Sequence, residues 1–137
     1  MANAMELENL DHRQVALILS RGRCVVGLAC IFAPALVART WVGRSDPAVR
    51  AMVRVAGVRD LALGVGALTA IKEQQQDAEW LSMGAACDGF DAAVSLTSPG
   101  LPFRARVIGV GAAATAVALM VISRRLADER DVAGASV

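Results

Sequence analysis

The stretch that most constrains this chain is Gly57-Val58-Arg59-Asp60-Leu61-Ala62-Leu63-Gly64-Val65-Gly66. It sets a cation beside an anion in a segment that otherwise reads as a buried helix. A second segment, Gly84-Ala85-Ala86-Cys87-Asp88-Gly89-Phe90-Asp91, does the same with two carboxylates. Charge inside an apolar helix persists only where it meets a counter-charge, a hydrogen-bonding cavity or water. Both segments are therefore expected to face the inside of a helical bundle and to meet there.

What surrounds such a bundle follows from composition. Hydrophobic residues make up 55% of the 137, aromatics only 4%, and mean hydropathy is +0.49. A soluble domain of this size has to cover its core with polar surface. An apolar share this high, gathered in long blocks, predicts that lipid covers part of the surface. The length suits one domain over 1–137. A net charge of +1 gives no field for nucleic acid. Lys72 is the sole lysine beside many arginines, alanines and valines, a bias that suggests a GC-rich bacterial genome.

Cys24, Cys30 and Cys87 form no CxxC pair, and His12 is the single histidine. No metal site and no cofactor are expected. The cysteines read as small buried apolar residues, and His12 as plain surface.

In chain order, residues 1–12 are polar, loose or a short surface helix, with Asp11 as a possible N-cap. Acids at the start and Arg21 and Arg23 further on predict no cleaved signal peptide. Four helices are expected at about 14–40, 47–71, 78–96 and 105–124, followed by a polar, disordered tail over 125–137. Pro34 should kink the first, and Pro47 suits the first position of the second. Residues 97–102 (TSPGLP) are the strongest breaker. Residues 107–123 carry no charge and are the best single membrane candidate; the second helix needs Arg59 and Asp60 to be tolerated inside it. Trp41, Trp80 and Phe103 fall near helix ends, where interfacial aromatics sit. The fold class is thus all-α, a four-transmembrane-helix bundle in the plasma (inner) membrane, multi-pass, with cytoplasmic termini. A helical hairpin covered by a partner protein is the non-membrane alternative.

At about 100° per residue, Asp88 and Asp91 share a face with Gly84 and Ser95, while Gly57, Asp60, Gly64 and Ala67 form a stripe on the second helix. Arg59 points about 100° away from Asp60 on the same count, so the two are expected to serve different neighbours. Arg59, with Arg21 or Arg23, should pair with Asp88 or Asp91; Asp60 needs another partner, a cavity or a proton. Gly57, Gly64, Gly84, Gly109 and Ala113 are the candidate close-packing positions, the last two at small-xxx-small spacing. The network Arg21, Arg59, Asp60, Asp88 and Asp91 serves either as a register-fixing set of ion pairs or as a proton or substrate site. No catalytic residue is assigned.

The pattern Arg21, Gly27, Pro34, then Gly-x-Arg-Asp-Leu-x-Leu-Gly over 57–64, then Asp88 and Asp91 resembles a family of small uncharacterised four-helix bacterial membrane proteins, a domain of unknown function. A looser similarity runs to four-helix DoxX-like membrane proteins through the Arg and Gly positions of the first helix. The resemblance implies fold and location and brings no activity. With the lipid bilayer as surroundings, the expected role is a non-enzymatic accessory or interaction subunit, partnered by another membrane protein or forming a homo-oligomer. The alternatives are a small proton-coupled exporter acting as an oligomer, by analogy with multidrug transporters of similar length, and a membrane enzyme acting on a lipid or isoprenoid.

Overall fold

The computed structural model describes residues 2–134, with side chains over 12–132 apart from Glu129. Five helices account for nearly all of it: α1 (Ala2–Phe32), α2 (Pro34–Trp41), α3 (Pro47–Glu73), α4 (Asp77–Thr97) and α5 (Phe103–Gly134). There is no strand among the described residues.

Local chemistry explains the boundaries. Pro34 has no N–H and cannot continue α1, so the chain breaks at Ala33 (φ −124°, ψ 46°) and restarts with the proline at the first turn of α2. The expected kink is a full break. Asp46 caps α3 by accepting the Val49 N–H at 3.1 Å, with Pro47 in the first turn. Between α3 and α4 the chain turns through Gln74 and Gln76, both left-handed.

Three expectations about the ends are corrected. The backbone is helical from Ala2, so Asp11 lies inside α1 and is no N-cap. The tail over 125–137 is not a disordered segment up to Gly134, because α5 runs on to that residue; residues 135–137 lie outside the described residues. The cause is visible in packing: Leu119, Ile122 and Leu126 are all buried in one core cluster, so the helical stripe passes through Arg124 and Arg125. Trp80, expected only as an interfacial aromatic, also packs inward: it is half-buried against the same cluster, its ring filling the space a side chain at Gly66 would need.

The four long helices form a ring in which α1 packs on α3, α3 on α4, α4 on α5 and α5 on α1, with α2 against α3. At the α1–α3 crossing glycines bring each backbone against the other helix. A Cβ added at Gly57 would stand 2.8 Å from the Gly27 carbonyl, and one at Gly64 would stand 2.6 Å from Cys24 Sγ. Only glycine allows backbones this close. Gly109 plays the same part between α5 and Ser95 of α4. Two apolar clusters result. One gathers Ala16, Ala67, Ile71, Leu81, Ala85 and the α5 stripe; the other, at the opposite end, holds Cys30, Ala38 and Val53.

Among the described residues two helices are long and apolar enough to cross a membrane: His12–Phe32 and Phe103–Val132. Only 22% of each window is buried in the bundle, whereas a soluble core helix would be mostly buried. Their outer faces present Ile18, Val25, Phe32, Val110, Val117 and Val121. Neither α3 nor α4 meets the same standard, because both carry the charges described next.

Candidate functional site

The buried stripe of α1 is Ala16, Ser20, Gly27 and Cys30, and Arg23 stands in phase with it. This phase, and no special motif, turns Arg23 inward and leaves Arg21 exposed. The Arg23 side chain is 10% exposed and reaches two helices. Its Nη1 donates to Asp60 Oδ1 at 3.3 Å. Its Nη2 donates to the Gly84 carbonyl at 3.3 Å and to Asp88 Oδ2. Arg23 packs directly over Gly84, its Nη2 at 3.4 Å from where a Cβ would stand.

Arg59 grips Asp91 with both amino groups, Nη1 to Oδ1 at 3.1 Å and Nη2 to Oδ2. This is the bidentate fork that suits guanidinium to carboxylate. The same arginine also donates to Asp60 Oδ1 through Nε at 3.3 Å and Nη2 at 3.1 Å. Asp60 therefore bridges the two arginines, and the five side chains form one network across α1, α3 and α4.

The network departs from expectation in two respects. Arg21 does not belong to it: it is exposed and has no hydrogen bond or ion pair among the described residues. Arg23 takes its place. Arg59 and Asp60 do serve different neighbours, Asp91 and Arg23, but they also pair with each other, since the long arginine side chain spans the angle between adjacent positions. Asp60, expected to need another partner, a cavity or a proton, has the partner: Arg23, with Arg59 beside it.

Its depth is set by the helix pairings. Gly109 opposes Ser95 and Leu119 opposes Gly84, so Asp88 and Asp91 lie level with the middle of the uncharged run 107–123. Arg23 stands near the middle of His12–Phe32. The charges thus occupy the mid-height of both apolar helices, between the two core clusters. A cavity of about 10 Å³ lies beside Arg23, bounded by Ser20, Trp80 and Gly84 among others. That is space for about one water molecule. Among the described residues no three His, Cys, Asp or Glu side chains are placed to hold a metal ion.

The other packing positions divide. Gly57, Gly64 and Gly109 each sit at a contact too close for a side chain, whereas Gly84 is buried at ordinary packing distance and Ala113 is half-buried. Gly27, matched in the resemblance above, is a full partner of Gly57.

A second charged group lies at the end of the bundle that holds the starts of α1 and α4. Asp77, inside what reads as a polar connection, is 0% exposed. Its Oδ1 accepts from the Ala78 N–H at 2.8 Å and from Arg130. Arg130 also donates to the Gln74 carbonyl at 3.3 Å, which ties the far end of α5 to the α3–α4 turn. Arg13 comes within 4.0 Å of Asp77 Oδ2, an oxygen that accepts no hydrogen bond. His12 is not plain surface: it is half-buried, with an unpartnered, buried Nδ1. The signal for Asp77 was the seven-residue continuation of the α5 stripe from Leu119 to Leu126, which carries Arg130 back onto the turn.

No family model, curated protein or solved structure matches the chain.

Proposed function

We propose that the chain is an integral plasma-membrane protein crossing the bilayer with α1, α3, α4 and α5, and that it acts as a non-enzymatic accessory or interaction subunit of a larger membrane assembly. The observation that carries this reading is the placement of the Arg/Asp network. It lies inside the ring, level with the centres of two apolar helices whose outer faces are exposed hydrophobic side chains. Helix α3 has 27 residues and α4 has 21, about 40 and 30 Å at 1.5 Å per residue, enough to cross a core of roughly 30 Å. Their charges meet inward instead of facing lipid, which makes spans of this composition tolerable. The same pairing supports a packing role for the network, since all three carboxylates are held by guanidiniums and the adjacent cavity is far smaller than a small-molecule site. The resemblance to the small four-helix bacterial membrane family belongs to this reading.

Membrane fractionation followed by alkaline extraction tests the location; release into the soluble fraction would refute it. Purification in mild detergent tests the role, with a stoichiometric partner expected. A homogeneous lone species, active by itself, sinks it.

A further inference from the structure

We infer that this protein associates with a second copy of itself, Arg21 of one copy meeting the acidic side of the Arg59–Asp91 edge on the next. The inference rests on the membrane reading above.

Arg21 lies at the middle of His12–Phe32, on the outward face, with no partner among the described residues. It is about 3 Å along the helix from Arg23, hence at the same depth as the network. From mid-depth, either headgroup layer is about 15 Å away, beyond the reach of one arginine without deforming the bilayer. Arg50 and Arg54 differ, because they belong to the first two turns of α3.

The network supplies the missing counter-charge. Arg23 and Arg59 face Asp60, Asp88 and Asp91, so one carboxylate charge is left over. The uncharged run 107–123 of α5 adds nothing to the balance. With Arg21 the count at this depth becomes three cations and three anions. One copy cannot make that match, since its Arg21 points away from the ring. The acidic side of the network is reachable from outside through Asp91, which keeps 24% of its side chain exposed beside Arg59. Each half of the contact has an open position beside it. Nothing lies within 4 Å of a Cβ built on Gly22, next to Arg21, and Val94, about 60° round α4 from Asp91, is exposed.

The test uses two differently tagged full-length copies in which Cys24, Cys30 and Cys87 are alanine. One carries Gly22→Cys and the other Val94→Cys. Oxidation in membranes should join the two tags by a disulfide. A 22–22 product alone, or no product between copies, overturns the proposal. In parallel, tagged wild-type copies should co-purify in mild detergent. Arg21→Gln should reduce this at least tenfold and Arg21→Lys should retain it, with all three proteins still resisting alkaline extraction. Undiminished co-purification of Arg21→Gln overturns the copy–copy contact and leaves the membrane reading intact. So does an unrelated protein lost from Arg21→Gln while no second copy is present. Alkaline release of the wild-type chain overturns the membrane reading, and this inference with it.

Discussion

Replacing Arg23 by leucine removes the one guanidinium that holds Asp88. Asp60 keeps Arg59, so the damage concentrates on a single carboxylate whose side chain is 13% exposed. Removing one partner of a buried pair costs about 3–5 kcal/mol, because the other charge stays behind without compensation. Leucine returns part of this by filling the space with apolar volume, so the expected net loss is about 3 kcal/mol, roughly a hundredfold in the folding equilibrium. The assay is far-UV circular dichroism during titration of detergent-solubilised protein with dodecyl sulfate. Arg23→Leu should unfold at a clearly lower dodecyl sulfate fraction than wild type. The companion variant is Arg23→Leu with Asp88→Leu, which removes both charges and should recover most of the loss, a coupling of about 1–3 kcal/mol. The reasoning fails if Arg23→Leu unfolds with wild type, or if the two substitutions simply add. Arg21→Leu is the control and should leave the midpoint of the single chain unchanged.

Further outcomes follow from other contacts. Gly57→Val should open the α1–α3 crossing at a cost of about 1–3 kcal/mol by overpacking, whereas Gly111→Ala, with open space around it, should be neutral or slightly stabilising in the same titration. Arg130→Ala should leave the fully buried Asp77 without its strongest partner and raise hydrogen exchange in the last turns of α5 and in the 74–77 turn. Asp46 has its carboxyl held below the usual range, chiefly by the Val49 N–H. Since the folded value is the lower one, its support of the α3 start is fully present above the unfolded pKa and lost as pH falls through the folded one. Amide exchange at Val49 and Arg50 should accelerate over that window, and Asp46→Asn should abolish the dependence.

The sequence made the helices legible because their punctuation is chemical. Asp46 and Pro47 open α3, and the breaker at 97–102 separates α4 from α5. The charges of α3 and α4 were legible as inward-facing because a charge in an apolar helix persists only where it finds a counter-charge, a hydrogen bond or water. Which arginine of α1 joins them was readable too, from the stripe Ala16, Ser20, Gly27 and Cys30, which includes position 23 and leaves out 21. The bridge from Arg59 back to Asp60 was not readable, since helical angle describes Cβ directions and a guanidinium sits several bonds beyond. Asp77 escaped because burial at a turn depends on what a distant segment brings to it. Here that segment is the last third of α5, whose surface charges disguise a continuing apolar stripe.

The Arg59–Asp91 fork joins neighbours in the chain, whereas the Arg23–Asp88 contact joins α1 to a helix made much later. On the proposed membrane reading, for a protein inserted as it is synthesised, this would impose an order. Helix α1 comes first, with Arg21 and Arg23 still unpaired. Helix α3 would wait with an arginine and an aspartate exposed until α4 emerges and the fork closes, and the two would then enter the bilayer as a hairpin. Asp88 still awaits its cation, and finds it only by docking on the α1 already in place. Each step is completed by the helix that follows or the one already there, so the network records the sequence of assembly as well as its result.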